Sequence, residues 1–441
     1  GTPASFTNIN MNGEQIMSSQ ESGKRNEALD VIPSDLLASM EVQKTLLPSN
    51  DGDAIAGVIN MRTGTARSLK PKFSVDLGSG YSDIRGKVNY NAKAGYSQRF
   101  FPTSKNSNGV LGIAANYSFL RNNSGYDRLE AEAWEPYKLT EKATGEVVSD
   151  EMYIPTDYRY RYQTSTVTRN GMTFVADWAP TVNTKFTLSA VYNERKDDAE
   201  RYRNRLRFRD NGNGYYLMED GSIGSERMRS ITQVSTQNEK IRNFNINLDG
   251  ESTIGSWKVD GGLFYTLSKR NYESEMMGFQ TPEWRAGKKV NGVTIPKGTV
   301  IGVMPTIYTK YLTGKYTYEP TGNMGTEAPD AISRYNLYTV ENNNQITEGT
   351  NFTARANVSK NYYIKDYAST FSFGVKSKFM NNTGEVPVGT NTYSYTASEA
   401  NNLSNLLYTE QLDTKFLNNK LHFGKVPSFS KTKAYMNNPA N

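Results

Sequence analysis

The sequence predicts a mainly β fold: a transmembrane antiparallel β-barrel, seen in part as about nine strands, preceded by part of a small α/β unit. Three observations predict it. Apolar and polar residues alternate with period two in segment after segment from Pro71 to about residue 380. The connections between those segments alternate between short and long. The stretch from Asn26 to Thr63 differs from both, fitting a short helix and two strands into under forty residues.

The elements follow in order. Phe6 to Asn12 alternates loosely, with Phe6 and Ile9 apolar, and ends in Asn12-Gly13, a turn pair. Glu14 to Asn26 is rich in Ser, Gln, Glu and Lys and reads as a polar loop. Pro33 opens a short helix, where its missing N–H costs nothing. Ser34 and Asp35 fall in the first turn, which suits the helix dipole. Leu36, Leu37 and Met40 supply its apolar face. Met40 to Leu46 reads as a strand. Gly57 to Thr63 reads as another, with Val58 and Ile59 buried.

From Pro71 the two-residue period takes over. Phe73, Val75 and Leu77 alternate with Ser74 and Asp76. The same pattern returns at Val88–Tyr96, Leu111–Phe119, Phe186–Tyr192, Phe244–Leu248, Trp257–Leu267, Phe352–Val358 and Phe371–Val375. Each segment is near the ~9–11 residues that cross a bilayer when tilted. Ala179 to Thr184, Thr253 to Ser256 and Asn361 to Asp366 are short connections. Gly125 to Ser165, Arg209 to Gln237 and Glu273 to Gly349 read as long loops, and Arg99 to Gly109 is intermediate. Short turns at one end and long loops at the other mark a transmembrane barrel. If Phe73 starts upward, the strand from Phe371 to Phe379 also runs upward and residues 380–441 lie outside. An open edge is untenable in lipid, so the expectation is a piece of a longer barrel.

Composition excludes several classes. Hydrophobic residues make up 36% of the chain and the mean hydropathy is −0.67. No apolar run of about 20 residues exists for a spanning helix, but a barrel needs none. The net charge of +6 comes without a Lys/Arg block, so no nucleic-acid partner is expected. There is no cysteine and one histidine, His422, which excludes thiolate chemistry and a His-rich metal site. Asp210-Asn-Gly-Asn-Gly hints at calcium, but its twelfth position is Gly221 rather than a carboxylate. No nucleophile triad, phosphate loop or carboxylate pair stands out, so no catalytic residues, metal or cofactor are expected.

One stretch carries a specific resemblance. Asp35-Leu-Leu-Ala-Ser-Met-Glu-Val-Gln-Lys44 and Gly52-Asp-Ala-Ile-Ala-Gly-Val-Ile-Asn-Met-Arg-Thr63 resemble the end of the plug domain in the TonB-dependent outer-membrane receptors. Pro33, Ser39, Glu41, Val42, Lys44, Gly57, Val58, Asn60 and Thr63 fall in that family's pattern, and Ala56 stands where its first glycine is commoner. The resemblance covers residues 1–66 specifically and the strands generically. It implies a plug over 1–66 and a barrel over 67–441, the latter part of a 22-stranded whole with a plugged lumen. It also implies energy-coupled uptake of a scarce small ligand, such as a siderophore, glycan or peptide, across the outer membrane of a Gram-negative bacterium. The implied partners are outer-membrane lipid, TonB (through a segment outside this sequence) and a surface lipoprotein as a further candidate. The starch-utilisation subgroup is a poorer match, because its Asp-Gly and Tyr-Gly-x-x-Gly signatures are missing.

Candidate site residues follow from the same resemblance. Ser18, Gln20, Glu21, Lys24 and Arg25 would face incoming ligand at the plug apex, or form an ordinary polar loop. Lys44 would pair with barrel carboxylates and hold the plug, or be a solvated strand-end lysine. Pro33, Ser39, Glu41, Gly57, Asn60 and Thr63 would be structural. Tyrosines crowd the expected loops, among them Tyr153, Tyr158, Tyr160, Tyr162, Tyr202, Tyr215 and Tyr216. They suit either ligand contact or packing. The rival reading is a soluble, Tyr-rich all-β carbohydrate-binding protein. It shares the alternation, because a sandwich core and a lipid face produce the same period.

Overall fold

The computed structural model describes residues 7–18, 32–45, 51–52, 56–290, 292–304, 332–387, 390–405, 408–409, 412 and 425–438. The described residues are overwhelmingly β, in a small sheet and a large one.

The small sheet has four strands in the order Glu14–Gln15, Thr7–Met11, Gly57–Thr63, Leu37–Gln43. Thr7–Met11 and Gly57–Thr63 pair in parallel, and the other neighbours pair antiparallel. Asn12-Gly13 is the hairpin turn, both residues having positive φ (52° and 93°), as two-residue hairpins favour. Asn60 and Thr63 explain themselves here. Asn60 Oδ1 accepts from Gly13 N at 2.8 Å. Asn12 Oδ1 accepts from Thr63 N at 3.0 Å. Gly57 has φ +138°, and a Cβ there would lie 2.6 Å from the Gln43 carbonyl oxygen.

Two expectations fail in this region. The helix after Pro33 is one 3-10 turn, Ser34–Leu36, and Leu37 is already extended. The strand therefore starts at Leu37 rather than Met40 and runs to Gln43. A helix this short is marginal on its own, whereas Leu37–Gln43 gains a strand ladder along Gly57–Thr63. Leu36 is buried, but Met40 and Val42 are exposed. Glu14 and Gln15 form a strand rather than the start of a loop, and Ile16 and Met17 beside them are buried. Val58 is buried as expected, and Ile59 is half-buried.

The large sheet is built on nine long strands among the described residues: Lys72–Ser82, Lys87–Phe100, Leu111–Glu141, Val147–Thr181, Thr184–Arg209, Arg227–Ile254, Trp257–Gln280, Asn336–Ile364 and Tyr367–Glu385. Each pairs antiparallel with its sequence neighbours. The sheet curls into a half-barrel, and its first and ninth strands are exposed on both faces.

The first expected long loop is in large part strand, and the other two begin later and end earlier than expected. Gly125 pairs with Thr164, and the ladder continues to Tyr137 opposite Met152. Arg227 to Gln237 and Glu273 to Gln280 are likewise paired. The missed signal is visible in Tyr158-Arg-Tyr-Arg-Tyr162, a period-two run of tyrosine against arginine. At one end of the sheet the turns are tight: 182–183, 255–256 and 365–366, with 101–110 longer. At the other end 210–226 and 281–335 are long, but 83–86 and 142–146 are short. The length asymmetry thus holds for the later connections and not for the first two at that end.

Polarity across the sheet is inverted relative to a soluble protein. Near the tight turns, Met172, Leu248 and Leu263 are 47–50% exposed on the outer face. Asn193, Asn243, Asn245 and Asn351 point to the other face and are at most 2% exposed. Aromatic residues gather by the tight turns: Trp178 stacks on Phe186 at 5.5 Å, and Trp257, Tyr363 and Tyr367 are exposed. Toward the long-loop end the outer face becomes covered. Tyr158 and Tyr160 share the face of Met172 and Phe174, because the register runs unbroken between them. Yet both are buried, in a cluster with Phe208, Met228, Met277, Ile301 and Leu403.

Candidate functional site

The small sheet sits on the polar face of the large one. Ile9, Met11, Ile16, Ile32 and Met61 form one apolar cluster with Val191 and Phe264 of the fifth and seventh long strands. Glycines on the large sheet admit the contact: a Cβ on Gly171 would lie 2.5 Å from Leu36 and 2.9 Å from Pro33. Polar ties surround this patch. Asn12 Nδ2 donates to Ser189 Oγ at 3.0 Å, and Asn351 Nδ2 donates to the Gln15 carbonyl at 2.9 Å.

A charge cluster closes the interface on the eighth and ninth strands. Arg355, Lys376 and Lys378 lie on the inner face; the outward positions Phe373 and Val375 alternate with the lysines. Glu14 of the small sheet is 2% exposed. Its carboxylate lies 2.8 Å from Lys376 Nζ and 3.3 Å from Arg355 Nε, as close ion pairs. Asp51 takes Lys376 at 3.0 Å and Lys378 at 2.8 Å. Arg355 also reaches Asp249 at 2.7 Å. Burial pushes the Asp51 carboxyl up, but the bonds and charges of Lys378 and Lys376 outweigh it and hold the pKa below its ordinary value. Glu14 of the small sheet and Asp51, between two of its strands in sequence, thus meet bases on the large sheet.

The linker is held separately. Arg99 of the second long strand is buried and donates to the Ala66 carbonyl at 3.1 Å. It also donates to the Gly109 carbonyl at 2.9 Å and pairs with the buried Asp177 at 2.8 Å. Nothing in the local sequence around Arg99 marks it, because Ala66 and Asp177 are 33 and 78 residues away.

The sequence-derived residues fall as follows. Ser18 is buried next to the small sheet; Gln20, Glu21, Lys24 and Arg25 lie outside the described residues. Lys44 follows strand Leu37–Gln43 and is exposed, without an ion pair among the described residues. Ser39 is exposed opposite Arg62, and Glu41 pairs with Arg62 at 2.9 Å on the surface. Such an exposed pair is worth ~0–1 kcal/mol. Of the tyrosines, Tyr158, Tyr160, Tyr162, Tyr202 and Tyr215 are buried, which is the packing role. Burial pushes the Tyr160 phenol up. Asp210 spends one carboxylate oxygen on its own loop, accepting from Gly212 N at 2.8 Å and Gly214 N at 2.7 Å. No carboxylate or histidine cluster suited to a metal occurs among the described residues. No described helix is long and apolar enough to cross a membrane, which leaves a strand-built crossing open.

No family model matches the chain, and no curated protein matches it. Solved structures do. The chain is similar over 88% of its length to the copper transporter OprC, at 10% identity and a TM-score of 0.24, covering 54% of that chain. It is similar over 86% of its length to the siderophore receptor PiuA from Acinetobacter baumannii, at 10% identity and a TM-score of 0.27, covering 54% of that chain. It is similar over 87% of its length to the unliganded ferric citrate transporter FecA, at 8% identity and a TM-score of 0.23, covering 70% of that chain. The chain spans about half the length of the first two.

Proposed function

We propose that this chain is the plug end and first part of the barrel of a TonB-dependent outer-membrane receptor, which takes up a scarce ligand without covalent chemistry. The observation that supports it best is the inverted polarity of the large sheet. Apolar side chains are exposed outward near the tight turns, while asparagines and threonines are buried inward against a small mixed sheet. In water that arrangement wastes apolar burial; in a bilayer it is what a strand-built crossing requires. A soluble carbohydrate-binding sandwich would bury the apolar set and expose the polar one.

In this reading the small sheet is the plug, and the Glu14 and Asp51 cluster holds it against the barrel until inner-membrane force passed through TonB rearranges it. Lys44, exposed here, is the proposed partner for barrel carboxylates. The loop containing Ser18, Gln20, Glu21, Lys24 and Arg25 is the proposed plug apex. A surface lipoprotein is a candidate partner. The test is membrane partition of the full-length protein. Recovery in the outer-membrane fraction, released by detergent and not by high salt or carbonate, is expected. Recovery as a soluble protein without detergent would sink the reading and favour the carbohydrate-binding alternative.

A further inference from the structure

Beyond the small sheet, toward the long loops, the inner face of the large sheet changes character. Odd-numbered residues of the fifth long strand face inward, as Ser189 and Val191 show by their contacts. On that parity, with unbroken register, Arg201, Arg203, Arg205 and Arg207 line one inner row. Arginines stand opposite them on both neighbouring strands. Arg161 faces Arg203 and Arg159 faces Arg205 on one side; Arg229 faces Arg207 on the other. Like charges directly opposite each other oppose folding, so three such pairs in one patch ask for a reason.

The nearby carboxylates do not balance them. Asp157 is used by Arg205, through Nε at 2.9 Å, and by Arg159 at 3.1 Å. Glu132 takes Arg159, and Glu130 takes Arg161. Arg201, Arg203, Arg207 and Arg229 form no ion pair among the described residues, although Arg207 stands opposite Asp157 and Arg229 feels the charge of Glu283, which already pairs with Arg227. Arg203 Nε meets only Gln233 Oε1, and Arg229 Nη1 meets Gln280 Oε1 at 3.3 Å. Arg229 Nε is buried with no acceptor among the described residues. Burial first, then the charges of Arg201, Arg161, Arg205 and Arg159, lower the Arg203 guanidinium to about 10. It stays charged at neutral pH, in surroundings that disfavour it. Tyr338, whose hydroxyl receives a bond from Gln233 at 3.3 Å, adds a polar aromatic wall.

The patch lies roughly 40 Å along the strand from the Val191 contact, at about 3.3 Å per residue. It is therefore outside the exposed apolar band and on the long-loop side of the small sheet. We propose that this arginine face binds a compact soluble polyanion, one carrying two or more carboxylate or phosphate groups. Guanidinium groups recognise both bidentately. Strand geometry sets the cations about 5 Å apart across strands and about 7 Å apart along them, which suits charges on one small molecule. The inference deepens the uptake reading by naming the chemistry of the cargo, and it rests on that reading only for what happens after binding.

The test is calorimetric titration of the full-length protein with citrate and, separately, tripolyphosphate, at low and high salt. At least one should bind, more weakly as salt rises, with about a tenfold loss for each of Arg203→Gln and Arg207→Gln. Binding of citrate alone assigns carboxylates, and of tripolyphosphate alone assigns phosphates. A purely structural role predicts that Arg203→Gln lowers the urea midpoint; relief of repulsion predicts that it stays equal or rises. Arg229→Gln serves as a second variant on another strand. If neither probe binds the wild-type protein below about 10 mM, or if the variants bind as well as wild type, the site is refuted. Anion binding by a protein that stays soluble would leave the site and sink the uptake reading. Membrane insertion without anion binding would do the reverse.

Discussion

Glu14→Gln is the sharpest perturbation of the interface between the two sheets. The carboxylate is 2% exposed and sits between Lys376 and Arg355. Removing one partner of an isolated buried pair costs ~3–5 kcal/mol, because the other charge is left uncompensated. Here neither cation is abandoned: Lys376 keeps Asp51 at 3.0 Å and Arg355 keeps Asp249 at 2.7 Å. The loss is therefore nearer that of charge-assisted contacts alone, and one of the two is long at 3.3 Å. About 2 kcal/mol is expected, or roughly 30-fold in the docking equilibrium of the small sheet. The chain has no cysteine, so Met17→Cys places a unique thiol at a buried position of the interface. Its protection from a maleimide, in the membrane-inserted protein, reports undocking. Protection should fall roughly 30-fold with Glu14→Gln added, and by no more than about threefold with Glu41→Gln, whose pair is exposed. Equal protection with and without Glu14→Gln would refute the reasoning.

Three further outcomes can be checked. The pKa of Asp51 is held below its ordinary 3.8, so its contribution is present above about pH 4 and is lost as pH falls through the folded value; protection of the thiol introduced by Met17→Cys should be flat from about pH 8 to 5 and decline only in stronger acid. Gly57→Ala should lower stability in urea by about 1–3 kcal/mol, since φ is +138° and the new Cβ meets the Gln43 carbonyl; wild-type stability in that variant would contradict the strained geometry. Leu263→Arg puts a charge on the exposed apolar band and should cost ~2–4 kcal/mol if that band lies in the bilayer interior, read as reduced insertion into lipid vesicles; unchanged insertion would move the band out of the membrane.

Several features were legible without coordinates because they rest on local pattern. The strand Gly57–Thr63, the Asn12-Gly13 turn and the nine-strand meander follow from alternation and turn chemistry, which involve residues a few positions apart. The alternation could not say which set faces inward, since a lipid face and a sandwich core share one period. Only the docked small sheet identifies Asn193, Asn243 and Asn351 as the inner set. Pro33 with Leu36, Leu37 and Met40 looked helical until the ladder with Gly57–Thr63 outweighed a weak local preference. Strand length was underestimated for another reason. Aliphatic alternation marks the exposed band, while the extension at Tyr158–Tyr162 alternates tyrosine with arginine.

Composition and period by themselves determined that this is a long antiparallel meander with a small mixed unit ahead of it. Tertiary structure alone decided the charge pairing. Glu14 and Lys376 come from opposite ends of the chain, and Arg161 and Arg203 meet only through strand register. Electrostatic energy depends on distance in space, which register and curl set. A single sequence records such pairings as isolated charges, so both the cluster holding the small sheet and the arginine face emerge only when the strands are laid side by side.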